Sequence, residues 1–234
     1  MGSLTLFTQC YNAYMTSTIA LIIIVAIWTF AAMVLHELSH GLVAYWLGDD
    51  TAKRAGRLTL NPFAHVDPVM TFILPMALAI MNVVFKISVP IMGGAKPVPI
   101  DPRNMRGGEA GAAATAAAGP LMNLLLAFIC YIILSAFKAA PWWFSSFFYV
   151  GVLINLSLFA FNILPIVPLD GSRILHAIAP DGVRWGMDAI EGRLGLMNTY
   201  LILLIASPLV YAATDWIMAG VLVGFGAIAG AFGL

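Results

Sequence analysis

From Thr16 to Leu47 the chain reads TSTIALIIIVAIWTFAAMVLHELSHGLVAYWL. About twenty apolar or weakly polar residues, enough to cross a bilayer as a helix, run directly into His36-Glu37-Leu38-Ser39-His40. Ionisable side chains inside an apolar span are costly, so their presence there indicates a function. This stretch therefore predicts a membrane helix that carries a chemical site near one end.

The composition of the whole chain agrees with a membrane protein. Of the 234 residues, 62% are hydrophobic and 9% are charged, and the mean hydropathy is +0.96. An ordinary soluble domain is about 25% charged. Eleven basic residues balance eleven acidic ones, so the net charge is zero. These values exclude a disordered chain and a nucleic-acid-binding protein, and they argue strongly against a soluble globular protein.

We predict an all-α membrane protein, a polytopic helical bundle of about five to six apolar segments. The segments are Thr16–Leu47, Val66–Phe85, Glu109–Phe137, Phe147–Leu164, Leu194–Ala213 and Trp216–Phe232. The linkers are too short for an appended domain, so we expect one integral membrane domain, 1–234, with a core at 16–176 and a C-terminal helical hairpin at 194–234. Alternation among the prolines predicts a short extended or β element near 93–101.

The histidine motif has the spacing of a zinc site. His36 and His40 stand four residues apart, on one face of a helix, where both can hold one zinc ion. Glu37 lies between them and can take a proton from a water molecule that the zinc activates. The structural alternative is a pair of snorkelling histidines near a helix end.

A zinc ion held by two histidines needs a third protein ligand and an open position. Asp170 is the outstanding candidate, because it follows an apolar segment after Pro165 and Pro168. Broken backbone at membrane depth is tolerated where it lines a cavity or is buried in protein. The spacing equally allows Asp170 to cap a helix that starts near Ser172, and it does not choose between the two roles.

Three blocks of sequence together resemble the site-2 protease family, the M50 intramembrane zinc metalloproteases. They are HELSH at 36–40, AGPLMN at 118–123 and NILPIVPLDG at 162–171. The stretches at 57–68 and 93–104 resemble the small prokaryotic subgroup without PDZ or CBS domains. Three blocks in the right order are far more specific than the histidine motif alone.

The resemblance implies roles for single residues. His36, His40 and Asp170 would hold one Zn²⁺ per chain, Glu37 would be the catalytic base, and Asn162 would help to hold the substrate or the developing oxyanion. It implies an intramembrane zinc metalloendopeptidase that cuts transmembrane protein substrates, in regulated intramembrane proteolysis or in clearance of signal-peptide remnants. Besides that substrate, membrane lipid is the expected partner. The extended element near 93–101 could pair with an unwound substrate.

The basic residues predict the topology. His40 and Asp170 both follow apolar segments, so those segments must run parallel and one of the two between them must not cross. Pro75, in the middle of 66–86, indicates that this segment is re-entrant or interfacial. Ten basic residues then fall on one side and only Lys138 on the other. The positive-inside rule places the N-terminus outside and the zinc site toward the cytoplasm, in the cytoplasmic (inner) membrane of a prokaryote.

Two other functions are compatible with parts of the pattern. One is a non-catalytic metal-binding membrane scaffold or transporter, and the other is a zinc hydrolase that acts on lipids or small amides. A transporter should show ionisable groups at several depths, whereas here they cluster at one depth. His65 and Asp67 could form an auxiliary site or a gate, or could make local turn hydrogen bonds. Arg173 could orient Asp170 or face lipid headgroups, and His176 is expected to be structural.

Overall fold

The fold is a bundle of helices. The computed structural model describes the backbone of residues 2–86 and 93–233, and the side chains of 18–82, 84–86, 93–192 and 205–233. The helices are α1 (Gly2–Leu47), α2 (Thr51–Arg54), α3 (Leu74–Phe85), α4 (Gly108–Ala136), α5 (Trp142–Asn162), α6 (Asp170–Ile178), α7 (Asp181–Ile205) and α8 (Ser207–Ala231). The described residues contain no strand, so the predicted all-α class is confirmed, and the piece at 93–101 is irregular backbone.

Among the residues that the structure describes, four helices are long and apolar enough to cross a membrane. They are Thr18–Leu47, Gly108–Ala136, Trp142–Asn162 and Ser207–Ala231. The predicted boundary between the last two apolar segments, at 214–215, is wrong. The helix runs unbroken through Asp215, and the break lies at Ala206, two residues before Pro208 in the first turn of α8. Proline lacks an N–H and suits the first turn of a helix, which explains why the chain restarts there.

The apolar stretch at 66–86 differs from the four spans. A π-helical stretch at Pro68–Ile73 leads into α3, and together they form an apolar helix that is shorter than the spans. The Asp67 carboxylate accepts hydrogen bonds from the backbone N–H groups of Val69 and Met70, both at 2.9 Å. Asp67 therefore begins this helix as a local cap. That the stretch is re-entrant or interfacial stays a prediction.

Helix α4 lies at the centre of the bundle and packs against α1, α5, α6 and α8. Small residues along α4 allow this close approach, and Ala127 and Cys130 are fully buried. The Trp28 indole N–H donates to the carbonyl of Phe147 at 2.7 Å, which joins α1 to α5. Phe225 of α8 packs against Phe128 with ring centroids 5.0 Å apart. The helices that carry the site residues are thus held by neighbours on several sides.

The end of α1 is tied to the linker before α4. Gly48 has φ of +110°, a conformation that favours glycine, and it terminates the helix. The next residue, Asp49, is fully buried. Its carboxylate accepts from the N–H of Thr51 at 3.1 Å and from the N–H of Asp101 at 2.7 Å. Because Asp101 lies 52 residues further along the chain, this carboxylate fastens the linker to the helix that carries the histidines.

Asp49→Asn should destabilise the protein in a pH-dependent way. Burial alone would raise the pKa of Asp49, but hydrogen bonds from Thr51, Asp101 and Asn104 outweigh it and hold the pKa below its ordinary value. The stabilisation is therefore complete above the unfolded pKa of about 3.9 and is lost as the pH falls through the lower folded value. In the variant a donor would face the Asp101 N–H, at a cost of about 1–3 kcal/mol.

Unfolding temperatures in detergent at pH 7 and at acidic pH measure this effect. The variant should unfold at a lower temperature than wild type at pH 7, and the difference between the two unfolding temperatures should become smaller at acidic pH. Asp50→Asn is the control, because Asp50 is half exposed in its ion pair with Arg54 and should change stability by less than about 0.5 kcal/mol. An equal shift in both variants would show that the buried carboxylate has no special role.

Candidate metal centre

Three side chains from two helices converge on one point. His36 and His40 lie on consecutive turns of α1, and Asp170 is the first residue of α6. The two histidine Nε2 atoms are 3.0 Å apart, and Asp170 Oδ2 lies 3.1 Å from that of His36 and 3.3 Å from that of His40. Both histidines are buried, and the Asp170 side chain is 21% exposed. These three residues form a group that could hold a metal ion.

The donor set fits zinc. Imidazole nitrogen and carboxylate oxygen bind Zn²⁺ at about 2.0–2.2 Å, and a tetrahedron of that size has edges of about 3.3–3.6 Å. The three observed separations, 3.0 to 3.3 Å, are close to such edges. Two neutral imidazoles and one carboxylate also leave a fourth position open, as in catalytic sites.

The ring orientation of His40 follows from its second nitrogen. His40 Nδ1 lies 2.7 Å from the carbonyl oxygen of Thr115, in α4. A carbonyl can only accept a hydrogen bond, so Nδ1 must carry the proton. The neutral ring then presents the lone pair of Nε2 to the point where the three side chains meet, which is the orientation that a metal-ligating histidine needs.

A chain of buried amides fixes His36 in the same way. Asn155 donates through Nδ2 to the carbonyl of Gly151 at 2.9 Å, so its Oδ1 is the atom that faces Asn123. Asn123 Nδ2 donates to that oxygen at 3.1 Å and to the carbonyl of Ala32 at 3.3 Å. Asn123 Oδ1 is left for His36 Nδ1, 2.6 Å away. His36 therefore donates from Nδ1 and presents Nε2.

A glycine makes room for both rings. Gly119 lies between Thr115 and Asn123 on one face of α4, at spacings of four residues. A methyl group at this position would fall on His40 Nε2 and within 2.6 Å of His36 Nε2. The close passage of α4 thus requires the absence of a side chain at Gly119.

The break between α5 and α6 delivers Asp170. Helix α6 begins at Asp170 itself, with Leu169 as its N-cap residue and no side-chain cap. The alternative role of Asp170, as the cap of a helix that starts near Ser172, is therefore wrong. The next residue, Gly171, packs so closely on the carbonyls of Ile163 and Leu164 that a Cβ would collide with them. This tight corner aims the Asp170 carboxylate back at α1.

Glu37 lies on α1 between the two histidines and is partly buried. Its Oε2 accepts a hydrogen bond of 2.9 Å from the backbone N–H of Val98, in the linker before α4. The other carboxylate oxygen remains available to act on a water molecule. The geometry thus brings a carboxylate, two imidazoles and a second carboxylate to one region at the end of an apolar helix.

The other predicted residues take different places. Asn162 is the last residue of α5, and its amide donates to the Leu158 carbonyl at 3.0 Å, so its catalytic role stays a prediction. His65 is fully buried and bonds to the Thr59 carbonyl at 2.9 Å. Arg173 pairs with Glu191 at 3.4 Å.

His176 is a structural bridge in this arrangement. Its Nδ1 lies 3.2 Å from Glu109, at the start of α4, and its Nε2 lies 3.2 Å from Asp188, in α7. Both ring nitrogens are thus engaged away from the three converging side chains. This placement agrees with the structural role expected for His176.

Sequence reasoning assigned no site role to Thr115, Gly119 or Asn123. The block AGPLMN at 118–123 contains two of them, but only as part of a resemblance. The sequence did contain a signal for two of them. Asn123 lies in an apolar segment four residues after Gly119, which indicates a helix face that carries one polar group and packs closely against another helix. The backbone carbonyl of Thr115 leaves no signal in side-chain chemistry.

Asn123→Ala should weaken metal binding without removing a ligand. Loss of the acceptor for His36 Nδ1 frees the ring to rotate, and partners of this kind are worth about 10–100-fold in metal affinity. Competition with a chromophoric zinc chelator measures the change. Ser157→Ala is the matched control, because Ser157 of α5 contacts Met218 of α8 and not the metal centre. An unchanged affinity in Asn123→Ala would show that the amide chain does not orient His36.

Comparisons with known proteins agree with this chemistry. The model of peptidase family M50 matches residues 135–205. A Bacillus subtilis protein named "Putative zinc metalloprotease YwhC" is 39% identical over 168 residues, which are 67% of this chain and 69% of that protein. "Putative zinc metalloprotease Rip2" of Mycolicibacterium smegmatis is 29% identical over 177 residues, 70% of this chain and 63% of Rip2. No solved structure matches.

Proposed function

This chain belongs to peptidase family M50, the site-2 protease family, and is a metalloprotease; from this premise we propose that it hydrolyses peptide bonds in or near the transmembrane segments of other membrane proteins. The observation that carries the proposal is the convergence of His36, His40 and Asp170 beside Glu37 at the end of a membrane-spanning helix. Substrates that reach such a site are themselves segments of membrane proteins.

We assign zinc to His36, His40 and Asp170, whose donor atoms fit it. Bound there, zinc would supply Lewis acidity, which lowers the pKa of a water molecule and polarises a peptide carbonyl. Glu37 takes the proton of the attacking water at its carboxylate and returns it to the leaving amine nitrogen. Asn162, at the end of α5, is proposed to hold the substrate backbone or the developing oxyanion, a task for which one donor is worth about 3 kcal/mol.

The substrate must unwind before it is cut. In a membrane helix the backbone carbonyls are hydrogen-bonded within the helix, so a bond becomes accessible only where those bonds open. Residues that weaken a helix should therefore favour cleavage. Glycine destabilises a helix by about 1 kcal/mol per residue relative to alanine.

The chain is an integral membrane protein, and we propose that it lies in the cytoplasmic membrane of a prokaryote with the site toward the cytoplasm. The linkers beyond the end of α1 contain Lys53, Arg54 and Arg57, and the linker before α4 contains Lys96 and Arg103. An excess of basic residues marks the cytoplasmic side of a membrane protein. Four of these residues are exposed and would face the headgroups of membrane lipid: Lys53, Arg54, Lys96 and Arg103.

A designed single-span substrate tests the proposed function. It carries an apolar helix of about 20 residues with two central glycines and a tag on each side, and its partner has alanines instead. The purified protein in lipid nanodiscs with zinc should cut the glycine substrate within the helix, faster than the alanine version, as mass spectrometry of the products shows. A zinc-loaded protein that leaves both intact, or that hydrolyses the lipid instead, would contradict the proposal.

A further inference from the structure

A piece of the linker with two prolines, Lys96–Ile100, lies against the predicted catalytic base. The Val98 N–H donates to Glu37 Oε2 at 2.9 Å, and Val98 is only 6% exposed. The preceding N–H, of Lys96, donates to the carbonyl of His65 at 2.8 Å. Two successive backbone N–H groups, those of Lys96 and Val98, therefore bind this piece to the rest of the protein. The second of them donates to the carboxylate of Glu37.

One arginine also holds the beginning of this piece. Arg57 is only 7% exposed, and one of its terminal nitrogens donates to the carbonyls of Lys96 at 2.6 Å and Pro97 at 3.0 Å. Its other terminal nitrogen donates to the carbonyl of Ala64. A buried guanidinium bonded to three carbonyls of two linkers fixes their backbones relative to each other. The carbonyls it holds stand directly before the N–H that reaches Glu37.

The residue types at 97 and 99 restrict what this piece can do. Pro97 and Pro99 have no N–H, and the donors at 96 and 98 are already bonded within the protein. A strand that adds to a sheet edge needs donors as well as acceptors on that edge. From Lys96 to Pro99 this piece therefore offers no free backbone N–H with which a substrate strand could pair. The contacts point instead to a fixed backbone element.

We propose that Arg57 is a positioning residue for the reaction: by holding the Lys96 and Pro97 carbonyls it places the Val98 N–H on Glu37 and so sets the orientation of the catalytic carboxylate. This inference rests on the proposed function of Glu37 as the base. A hydrogen bond to Oε2 leaves Oε1 as the atom that receives the proton. Catalysis depends on such placement, since a misplacement of about 1 Å can cost about 100-fold in rate.

The test compares Arg57→Gln with Arg54→Gln, a nearby exposed arginine that pairs with Asp50 on the surface. In Arg57→Gln the kcat for the glycine-containing substrate should fall by about tenfold or more, while KM changes little and zinc per chain stays at the wild-type level. Arg54→Gln should match wild type. Loss of zinc together with activity in Arg57→Gln would overturn the proposal, because the arginine would then support the metal centre or the fold.

A second pair of variants keeps the test decisive if Arg57→Gln does not fold. Val98→Pro removes the backbone N–H that donates to Glu37. Val98→Ala also shortens the side chain, but it keeps this N–H and is therefore the matched control. Val98 already stands between Pro97 and Pro99, outside any helix, so a third proline there breaks no helical hydrogen bond. Val98→Pro should have a kcat about tenfold or more below that of Val98→Ala, at equal zinc content. Equal kcat values would overturn the proposal.

Hydrogen exchange separates this inference from the proposed function. The peptide Lys96–Ile100 has few exchangeable amides because two of its residues are proline. Exchange at Val98 should be faster in Arg57→Gln than in wild type and Arg54→Gln. If wild type cuts no substrate, the proposed function fails. The exchange rate at Val98 still tests the role of Arg57, because an unchanged rate in Arg57→Gln would show that Arg57 does not hold this N–H on Glu37.

Discussion

Glu37→Gln should keep its zinc and lose its cleavage activity. The amide has the shape of the carboxylate and can still accept the Val98 N–H through its oxygen, so the local structure should persist. It has no basic atom that can take a proton from water. Removal of a positioned general base typically costs about 10²–10⁴-fold in rate, so we expect the rate of product formation to fall by at least about 100-fold.

Zinc content by mass spectrometry and product formation from the glycine-containing substrate measure the two parts of this expectation. His36→Ala is the companion variant, because it should lose both the metal and the activity. A Glu37→Gln protein that still cuts at near the wild-type rate would show that another group is the base. If it bound no zinc, its inactivity would say nothing about proton transfer.

Gly119→Ala should abolish both zinc binding and activity, although it adds a single methyl group. That methyl would fall on His40 Nε2 and within 2.6 Å of His36 Nε2, the atoms that face the metal position. Alanine is the better helix former by about 1 kcal/mol, so the loss cannot arise from weakened helix formation. Both rings are also held from behind by hydrogen bonds to α4 and cannot easily withdraw.

The control for Gly119→Ala is the same substitution elsewhere in a membrane-spanning helix. Gly220 and Gly224 of α8 have open space where a Cβ would stand, so alanine there should leave zinc and activity unchanged. Zinc per chain and cleavage are measured for all three variants. Normal zinc content in Gly119→Ala would mean that α4 does not pass the histidines as closely as described.

The part of the site that lies on one helix could be predicted from the sequence. His36 and His40 share a face because α-helical periodicity places residues four apart above one another. The sequence did not decide whether Asp170 is a metal ligand or a helix cap, because separation along the chain does not show whether Asp170 contacts His40 in space. The corner at Gly171, where the backbone of α6 packs on the carbonyls of Ile163 and Leu164 just beyond α5, decides the matter in the structure.

The supporting residues depend on packing between helices. Asn123 meets His36 only because α4 packs on α1, and the tautomer of the ring depends on the amide of Asn155 in a third helix. The same limit explains the error in the last segments. Hydropathy placed a boundary at the polar pair Thr214 and Asp215, but Thr214 bonds to the Val210 carbonyl and the helix continues through it.

The linker before α4 shows a further limit. Proline alternation predicted a short extended or β element near 93–101 that could pair with a substrate, but this piece is irregular backbone. The contacts of this piece with Glu37 and Arg57 join positions 61 and 39 residues apart. No local pattern reports such contacts.

The most direct test of the metal centre is the zinc content of purified Asp170→Ala beside wild type. Asp170 is far from the histidines along the chain, so its effect depends wholly on the arrangement described here. The account predicts about one zinc per wild-type chain and little in the variant, with the protein still folded in detergent. Full zinc in Asp170→Ala would place the third ligand elsewhere, and a wild-type protein without zinc would contradict the metal centre itself.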